Sequence, residues 1–333
     1  MTRDVAIVAF GQSEHLRDSS QLSEVEMLMP VLHQVLGQVG LTTDQIDFTC
    51  SGSSDYLAGR AFSFTMALDG VGAWPPIAES HVEMDGAWAL YEAWVKILTG
   101  EAETALVYAY GKSSAGELRD VLTRQLDPYY VAPLWPDSVS LAALQAQSLI
   151  DAGLTDERQL ADIATRYGAH DDAYAVRPLR RQDCPPISDG AAAVVLAAGD
   201  TARGLCPRPA WIRGMDHRIE AHSLGVRDLA DSPSTRLAAE CAGAFDAPVD
   251  TAELHAPFSS QEALLRRVLD LDDSVQVNPS GGALVANPVM ATGLIRLGEA
   301  AARIHRGQSG RALAHATSGP CLQQNLVAVL EAS

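Results

Sequence analysis

The chain is poor in paired cysteines, in basic clusters and in long apolar runs. Its five cysteines are Cys50, Cys184, Cys206, Cys241 and Cys321, an odd number with no C-x-x-C pair. No signal peptide is read at its start, so reduced thiols and a cytoplasmic location are expected. No apolar run reaches the roughly 18 residues that a membrane span requires, so no membrane partner is expected. Lys and Arg number 24 against 42 Asp and Glu, a net charge of −18. With no prominent Lys/Arg cluster, that balance argues against a nucleic-acid ligand. It does not exclude an anionic ligand, because single arginines and helix ends can hold one. Arg177, Arg180 and Arg181 form the one dense basic group. A solvated loop and a phosphate contact are both open for it. No metal-ligand spacing and no tightly bound cofactor are read.

What is present suits a large layered α/β protein. The 333 residues suffice for two average domains or one large one, and 47% of them are apolar, which supplies a sizeable core. Residues 4–10 read as a buried strand that ends at Gly11. Residues 22–39 read as an amphipathic helix, with Leu22, Val25, Leu28, Met29, Leu32 and Leu36 on one side and Pro30 as a kink or a split. Residues 46–50 read as a second strand. Gly86 and Ala87 lead into a helix that carries Leu90, Ala93, Ile97 and Leu98, followed by the strand at 104–110. Residues 112–184 break this rhythm. Their Pro- and aromatic-rich stretch Asp127–Pro136 precedes two helices near 139–152 and 156–168. A strand at 184–198 closes the first half. The second half repeats the outline: a strand at Trp211–Ile212, a helix at 236–244, and a strand end, turn and helix at 253–271. A helix that starts near Met290 and the strands at 311–318 and 325–332 follow.

The stretch 277–304 organises the rest. Asn278-Pro279-Ser280-Gly281-Gly282 turns after a short strand, Ala286-Asn287-Pro288 turns again, and a helix then begins. Gly281 and Gly282 permit positive φ and close approach to a ligand. Backbone amides and the Asn287 side chain at the helix start can line a pocket; a plain tight connection is the bland alternative.

These motifs resemble those of thiolases, which carry N-x-x-G-G, G-H-P and G-A-T-G before a long helix. Here they stand as Asn278–Gly282, Ala286-Asn287-Pro288 and Met290-Ala291-Thr292-Gly293. Ser188-Asp189-Gly190-Ala191-Ala192-Ala193 resembles another thiolase signature, and His255-Ala256-Pro257-Phe258 resembles the H-D-C-F of sterol-carrier-type thiolases. Two departures matter. The family's G-H-P histidine is Asn287. The nucleophilic cysteine, expected at the mouth of the 86–98 helix, is missing, since no cysteine lies between Cys50 and Cys184. Setting Gly86 on the family glycine puts Glu83 in its place.

The resemblance implies a five-layer αβαβα fold with two halves related by a pseudo-twofold. Residues 1–111 and 185–205 would form one half, 206–333 the other, and 112–184 an inserted loop domain over the acyl-CoA. That insert is short between Tyr174 and Arg177. The candidate site residues are His255 as base or orienter, Asn287 as oxyanion donor, and Glu83 or Cys321 as proton donor to the enolate. Gly281, Gly282, Tyr129 and Tyr130 are expected to contact substrate. A carboxylate at the place of the missing cysteine, Glu83 or Asp85, can also act as a general base; a cap at the start of the following helix is the bland alternative and suits Asp85 better. Without the nucleophilic cysteine, Claisen condensation by the usual thiolase route is excluded and retro-aldol cleavage of a β-hydroxyacyl-CoA is implied, with coenzyme A as part of the substrate and a steroid side chain as the acyl class. The expected partners are a second copy or a thiolase-like paralogue, and a small OB-fold acyl-CoA-associated protein. A non-catalytic subunit and a lipid carrier remain the alternatives.

Overall fold

The computed structural model describes residues 3–333. The first half contains β1 (Val5–Gln12), α1 (Glu24–Val39), β2 (Phe48–Gly52), α2 (Asp55–Ala58), α3 (Thr65–Val71), β3 (Glu79–Val82), α4 (Gly86–Leu98) and β4 (Thr104–Lys112). Then come α5 (Leu118–Arg124), α6 (Ser138–Asp151), α7 (Glu157–Arg166) and a small hairpin of β5 (Tyr174–Val176) and β6 (Leu179–Arg180). β7 (Asp189–Ala198) and α8 (Gly199–Leu205) return to the main sheet. The second half is β8 (Ala210–Ile219), α9 (Pro233–Cys241), β9 (Thr251–Leu254), α10 (Ser259–Val268), β10 (Gln276–Val277), α11 (Gly282–Val285), α12 (Thr292–His305), β11 (Arg311–Ser318) and β12 (Gln324–Glu331).

The sheet topology carries the internal symmetry. Ten strands run in the order β10-β9-β11-β12-β8-β1-β7-β4-β2-β3. From the centre outward, each half has two antiparallel pairings and then two parallel ones. β1-β7-β4-β2-β3 on one side matches β8-β12-β11-β9-β10 on the other. The halves meet where Ala6 pairs with Trp211 and Ile7 with Ala210. The parallel pairs need helical crossovers, and these supply the remaining layers.

Three apolar clusters define five layers. In the middle, Leu90, Ala93 and Ile97 of α4 and Leu294, Leu297 and Ala301 of α12 pack between the two half-sheets, against Val107, Val194, Ala314 and Ala328. Alanines at 87, 89, 300, 312 and 316 let two helices and two sheets approach closely there. α1 covers the outer face of the first half through Leu28, Leu32 and Val35, against Leu106 and Val195. α9 and α10 cover the outer face of the second through Ala238, Leu264 and Leu265, against Leu254 and Val327. Each fully buried large side chain contributes roughly 1.5–3 kcal/mol. The α/β/α/β/α order expected from the sequence is the one observed.

Local expectations need adjustment. α1 passes through Pro30 without splitting, because Pro30 lies on its exposed side. Its core face runs through Met27, Leu28, Val31, Leu32, Val35 and Leu36, whereas Leu22 and Met29 stay exposed. α9 begins at Pro233 and α12 at Thr292, three residues before and two after the expected starts. Among the described residues, no helix is long and apolar enough to cross a membrane.

Candidate active site

The N-termini of α4 and α12 converge in the central layer, and the convergence is held by one side chain. Asp85 caps α4 by accepting the Ala87 N–H at 2.9 Å. It also accepts the N–H groups of Gly293 (2.9 Å) and Leu294 (3.1 Å) in the first turn of α12. Gly293 is required at this contact, since a Cβ there would lie 2.5 Å from Asp85 Oδ1. Burial pushes the Asp85 carboxyl up to about 6, against the pull of these three amides and of Arg296. Asp85 therefore stands at the helix mouth that sequence alignment gave to Glu83. Capping was anticipated for it; the second helix was not, because its donors come from the far half of the chain.

A cleft of about 1100 Å³ opens at this junction. His255, Asn287, Glu83 and Cys321 all line it, together with Asp85, Met290 and Thr317. Elements from both halves and the insert form its wall. The loop that carries Asn287 is tied down by the Ser188-Asp189-Gly190 turn. Ser188 Oγ accepts the Asn287 N–H at 3.2 Å. Asp189 accepts from Ser19 (2.8 Å) and from the Ser114 N–H (2.8 Å), which joins the α1 approach and the start of the insert to β7.

The Asn287 side chain is oriented by α12. Its amide oxygen accepts from the Thr292 hydroxyl at 2.9 Å, and the same hydroxyl lies 3.0 Å from the Pro288 carbonyl. With the oxygen so held, the amide N–H groups are left to donate into the cleft. His255 and Asn287 both stand on the cleft wall.

His255 follows β9 and is buried. Burial, then the neighbouring His315 and Arg296, push it down to about 3, so the ring is neutral. Its Nδ1 accepts the Thr317 N–H at 3.4 Å. A neutral imidazole with Nδ1 as acceptor carries its proton on Nε2. His255 is thus a hydrogen-bond donor to the cleft, not a group poised to titrate near neutrality. The burial that causes this has no signature in the sequence around His255.

The two other expected proton carriers differ. Glu83 is raised by partial burial, although its carboxylate accepts the Asp55 N–H at 2.6 Å. The Cys321 thiol is pushed up to about 11 by burial and donates to the Leu141 carbonyl at 3.3 Å. It packs with Val131, Leu141 and Leu229, which is a structural setting.

Four expected contacts fall outside the cleft. Gly281 and Gly282 adopt φ of 102° and 65° and shape the turn before α11. That turn serves a buried ion pair instead: Ser280 Oγ donates to Glu253 at 2.6 Å, and Arg296 reaches Glu253 at 2.9 Å. Tyr129 and Tyr130 are 82% and 64% exposed and are absent from the cleft wall. Asp127 accepts their N–H groups at 3.1 and 2.7 Å, making a turn that directs both rings outward. Arg180 pairs with Glu157 and Asp172, Arg181 with Asp171, and Arg177 stacks over Tyr174, so this basic group lies off the cleft as well.

No family model matches the chain. The acetyl-CoA acetyltransferase of Methanocaldococcus jannaschii is 24% identical over 349 residues, covering 89% of this chain and 88% of that protein. The acetyl-CoA acetyltransferase of Methanothermobacter thermautotrophicus is 31% identical over 157 residues, a match that spans 40% of this chain and only 41% of that relative's length. Among solved structures, the Ltp2-ChsH2(DUF35) aldolase superposes with a TM-score of 0.80 at 18% identity, covering 99% of this chain and 98% of that one. Human mitochondrial 3-ketoacyl-CoA thiolase superposes with a TM-score of 0.76 at 17% identity, covering 99% of each.

Proposed function

For this chain of the thiolase fold, we propose retro-aldol cleavage of a β-hydroxyacyl-CoA to a ketone and a shorter acyl-CoA. One observation carries the reading: the neutral His255 and the Asn287 amide line one cleft, and an acid stands at the mouth of α4 where thiolases carry a thiol. A cleft without a nucleophile there has no route to an acyl-enzyme by thiolase chemistry. It can still stabilise negative charge on a thioester oxygen.

The steps balance without a covalent intermediate. Glu83, whose basicity is raised by partial burial, takes the proton of the β-hydroxyl. The Cα–Cβ bond breaks, its electron pair moves to Cα and the thioester oxygen, and the C–O bond becomes the ketone. Asn287 and His255 Nε2–H hold the enolate oxygen. A donor so placed contributes on the order of 3 kcal/mol to the barrier. The enolate carbon then takes one proton.

The acyl class is a bulky one, and a steroid side chain with a tertiary alcohol is its best candidate. Support comes from the volume, about 1100 Å³, which exceeds the roughly 300–1000 Å³ of ordinary small-molecule pockets. The compared aldolase pairs Ltp2 with ChsH2(DUF35). We extend such a pairing to this chain, with an OB-fold acyl-CoA-associated protein as partner. A second copy or a thiolase-like paralogue is proposed as the other subunit of a dimer.

The test uses the full chain alone and co-expressed with an OB-fold partner, given a β-hydroxy steroid-CoA. Release of ketone and short acyl-CoA is expected, falling roughly 10²–10³-fold in Asn287→Ala. No turnover in either preparation, with full activity of a paralogue complex that contains His255→Ala, would favour a scaffold subunit instead.

A further inference from the structure

We propose that Asp85 is the proton donor to the α-carbon of the enolate. The inference rests on the retro-aldol reading and assigns the one proton transfer that it leaves without a residue. The oxygen holder and the carbon protonator would then meet at the start of α12, which Asp85 reaches from the start of α4. Asn287 is fixed by Thr292, and Gly293, the next residue, is fixed by Asp85. An acid and an oxyanion donor held within one turn of each other can address adjacent atoms of a single thioester.

The other candidates are occupied. Glu83 serves the hydroxyl. The Cys321 thiol points to the Leu141 carbonyl. The Nε2 proton of a neutral imidazole is a hydrogen bond to the oxygen, not an acid for carbon. Asp85 alone is in the cleft wall, buried and held by three N–H bonds from two helices. Those bonds also stabilise the carboxylate left behind.

The charges around it are few. α12 contributes Arg296, which is itself paired with Glu253 of β9. The segment after β9 contributes His255, and the residues before α4 contribute Glu83. β2, β4 and β11 present Gly52, Ala109 and Ala316 to this junction and bring no charge. Burial therefore outweighs attraction, and a proton is retained on the carboxyl up to about pH 6.

The transfer is balanced. The Asp85 O–H bond breaks, the enolate pair becomes the new Cα–H bond, and the thioester carbonyl is restored. Glu83 has gained one proton and Asp85 has lost one, and water in the open cleft resets both.

The test follows the full chain, with its partner if turnover requires it, in D₂O. Wild type is expected to place one deuterium at Cα of the released acyl-CoA and to exchange the α-hydrogens of propionyl-CoA, read by NMR. Asp85→Asn, checked for folding by circular dichroism, is expected to lose at least 100-fold in exchange and turnover, together with the alkaline limb of the kcat profile. Asp85→Glu keeps a carboxyl and is expected to keep that limb with a displaced midpoint; it decides the matter if the asparagine variant does not fold. A folded Asp85→Asn that exchanges like wild type, or an unmoved limb in Asp85→Glu, overturns the proposal. Exchange that depends on Asp85 without any cleavage would overturn the retro-aldol reading and leave the proton donor standing.

Discussion

Asp85 and Gly293 lie 208 positions apart, yet the Asp85 carboxylate accepts the Gly293 N–H at 2.9 Å. Through this bond, and those to Ala87 and Leu294, one side chain satisfies orphan amides at two helix starts. It fastens the two pseudo-symmetric halves at the point where the cleft opens. Fold and site therefore share a residue.

That sharing predicts a large stability cost for Asp85→Ala. Three buried N–H groups would lose their partner, each at roughly 1–3 kcal/mol. A loss of at least about 3 kcal/mol is expected by urea denaturation. A loss below about 1 kcal/mol would mean that water or relaxation replaces the cap.

Thr292 should act through Asn287. Thr292→Val removes the hydroxyl that holds the amide oxygen and should lower kcat roughly tenfold, about 1.4 kcal/mol, with KM nearly unchanged. Thr292→Ser should restore the rate. Equal losses in both variants would show that helix packing, not amide orientation, is what Thr292 provides.

His315 makes a pH-dependent contribution to stability. Burial pushes it down to about 4, and its Nε2 lies 3.0 Å from Asn325 Oδ1. A histidine lowered on folding refuses protons that the unfolded chain accepts below its ordinary pKa of about 6.5. Its contribution is therefore fully present above that pKa and is lost as pH falls from about 6.5 toward 4. The stability of wild type relative to His315→Gln should fall by about 1.4 kcal/mol per pH unit below 6. A flat difference between pH 7 and 5 would contradict the buried neutral ring.

Glu262 ties the insert to the second half. Its buried carboxylate accepts from Arg166 (2.9 Å) and Tyr167 (2.8 Å) near the end of α7, and from Asn278 (3.0 Å) in the turn after β10. Glu262→Ala returns the half-exposed Arg166 to water but strands the buried Asn278 amide, and should cost roughly 1–3 kcal/mol. Limited proteolysis should then cut first between α7 and β7. Unchanged digestion would mean that apolar packing of α6 and α10 holds the insert unaided.

Much of this was legible one residue at a time. The apolar periods of β1, β4, β7, α4 and α12 mark buried elements, and the motifs at 188–193, 255–258 and 278–293 led to the five layers. The cleft brings His255, Asn287, Glu83 and Cys321 together, as their motifs suggested. Failures came where a second element decides. α1 turns Met27, Val31 and Val35 to the core beside Leu28, Leu32 and Leu36, while Val25 and the exposed Met29 flank Gly70 of α3, so two neighbours widen its apolar face beyond the single stripe expected. Tyr129 and Tyr130 looked like a substrate cover, but the turn made by Asp127 faces them to solvent. Asp85 looked like one cap, since nothing near it in sequence shows the second helix. The low pKa of His255 depends on burial beside His315 and Arg296, which no local pattern reveals.

The central claim is carbon–carbon cleavage without an acylated protein. Intact-mass spectrometry of the chain during turnover of a β-hydroxy steroid-CoA, with its OB-fold partner present, tests this most directly. The account predicts an unchanged protein mass while ketone and short acyl-CoA accumulate one to one. An acyl adduct on the chain, or acyl-CoA released without ketone, would contradict it.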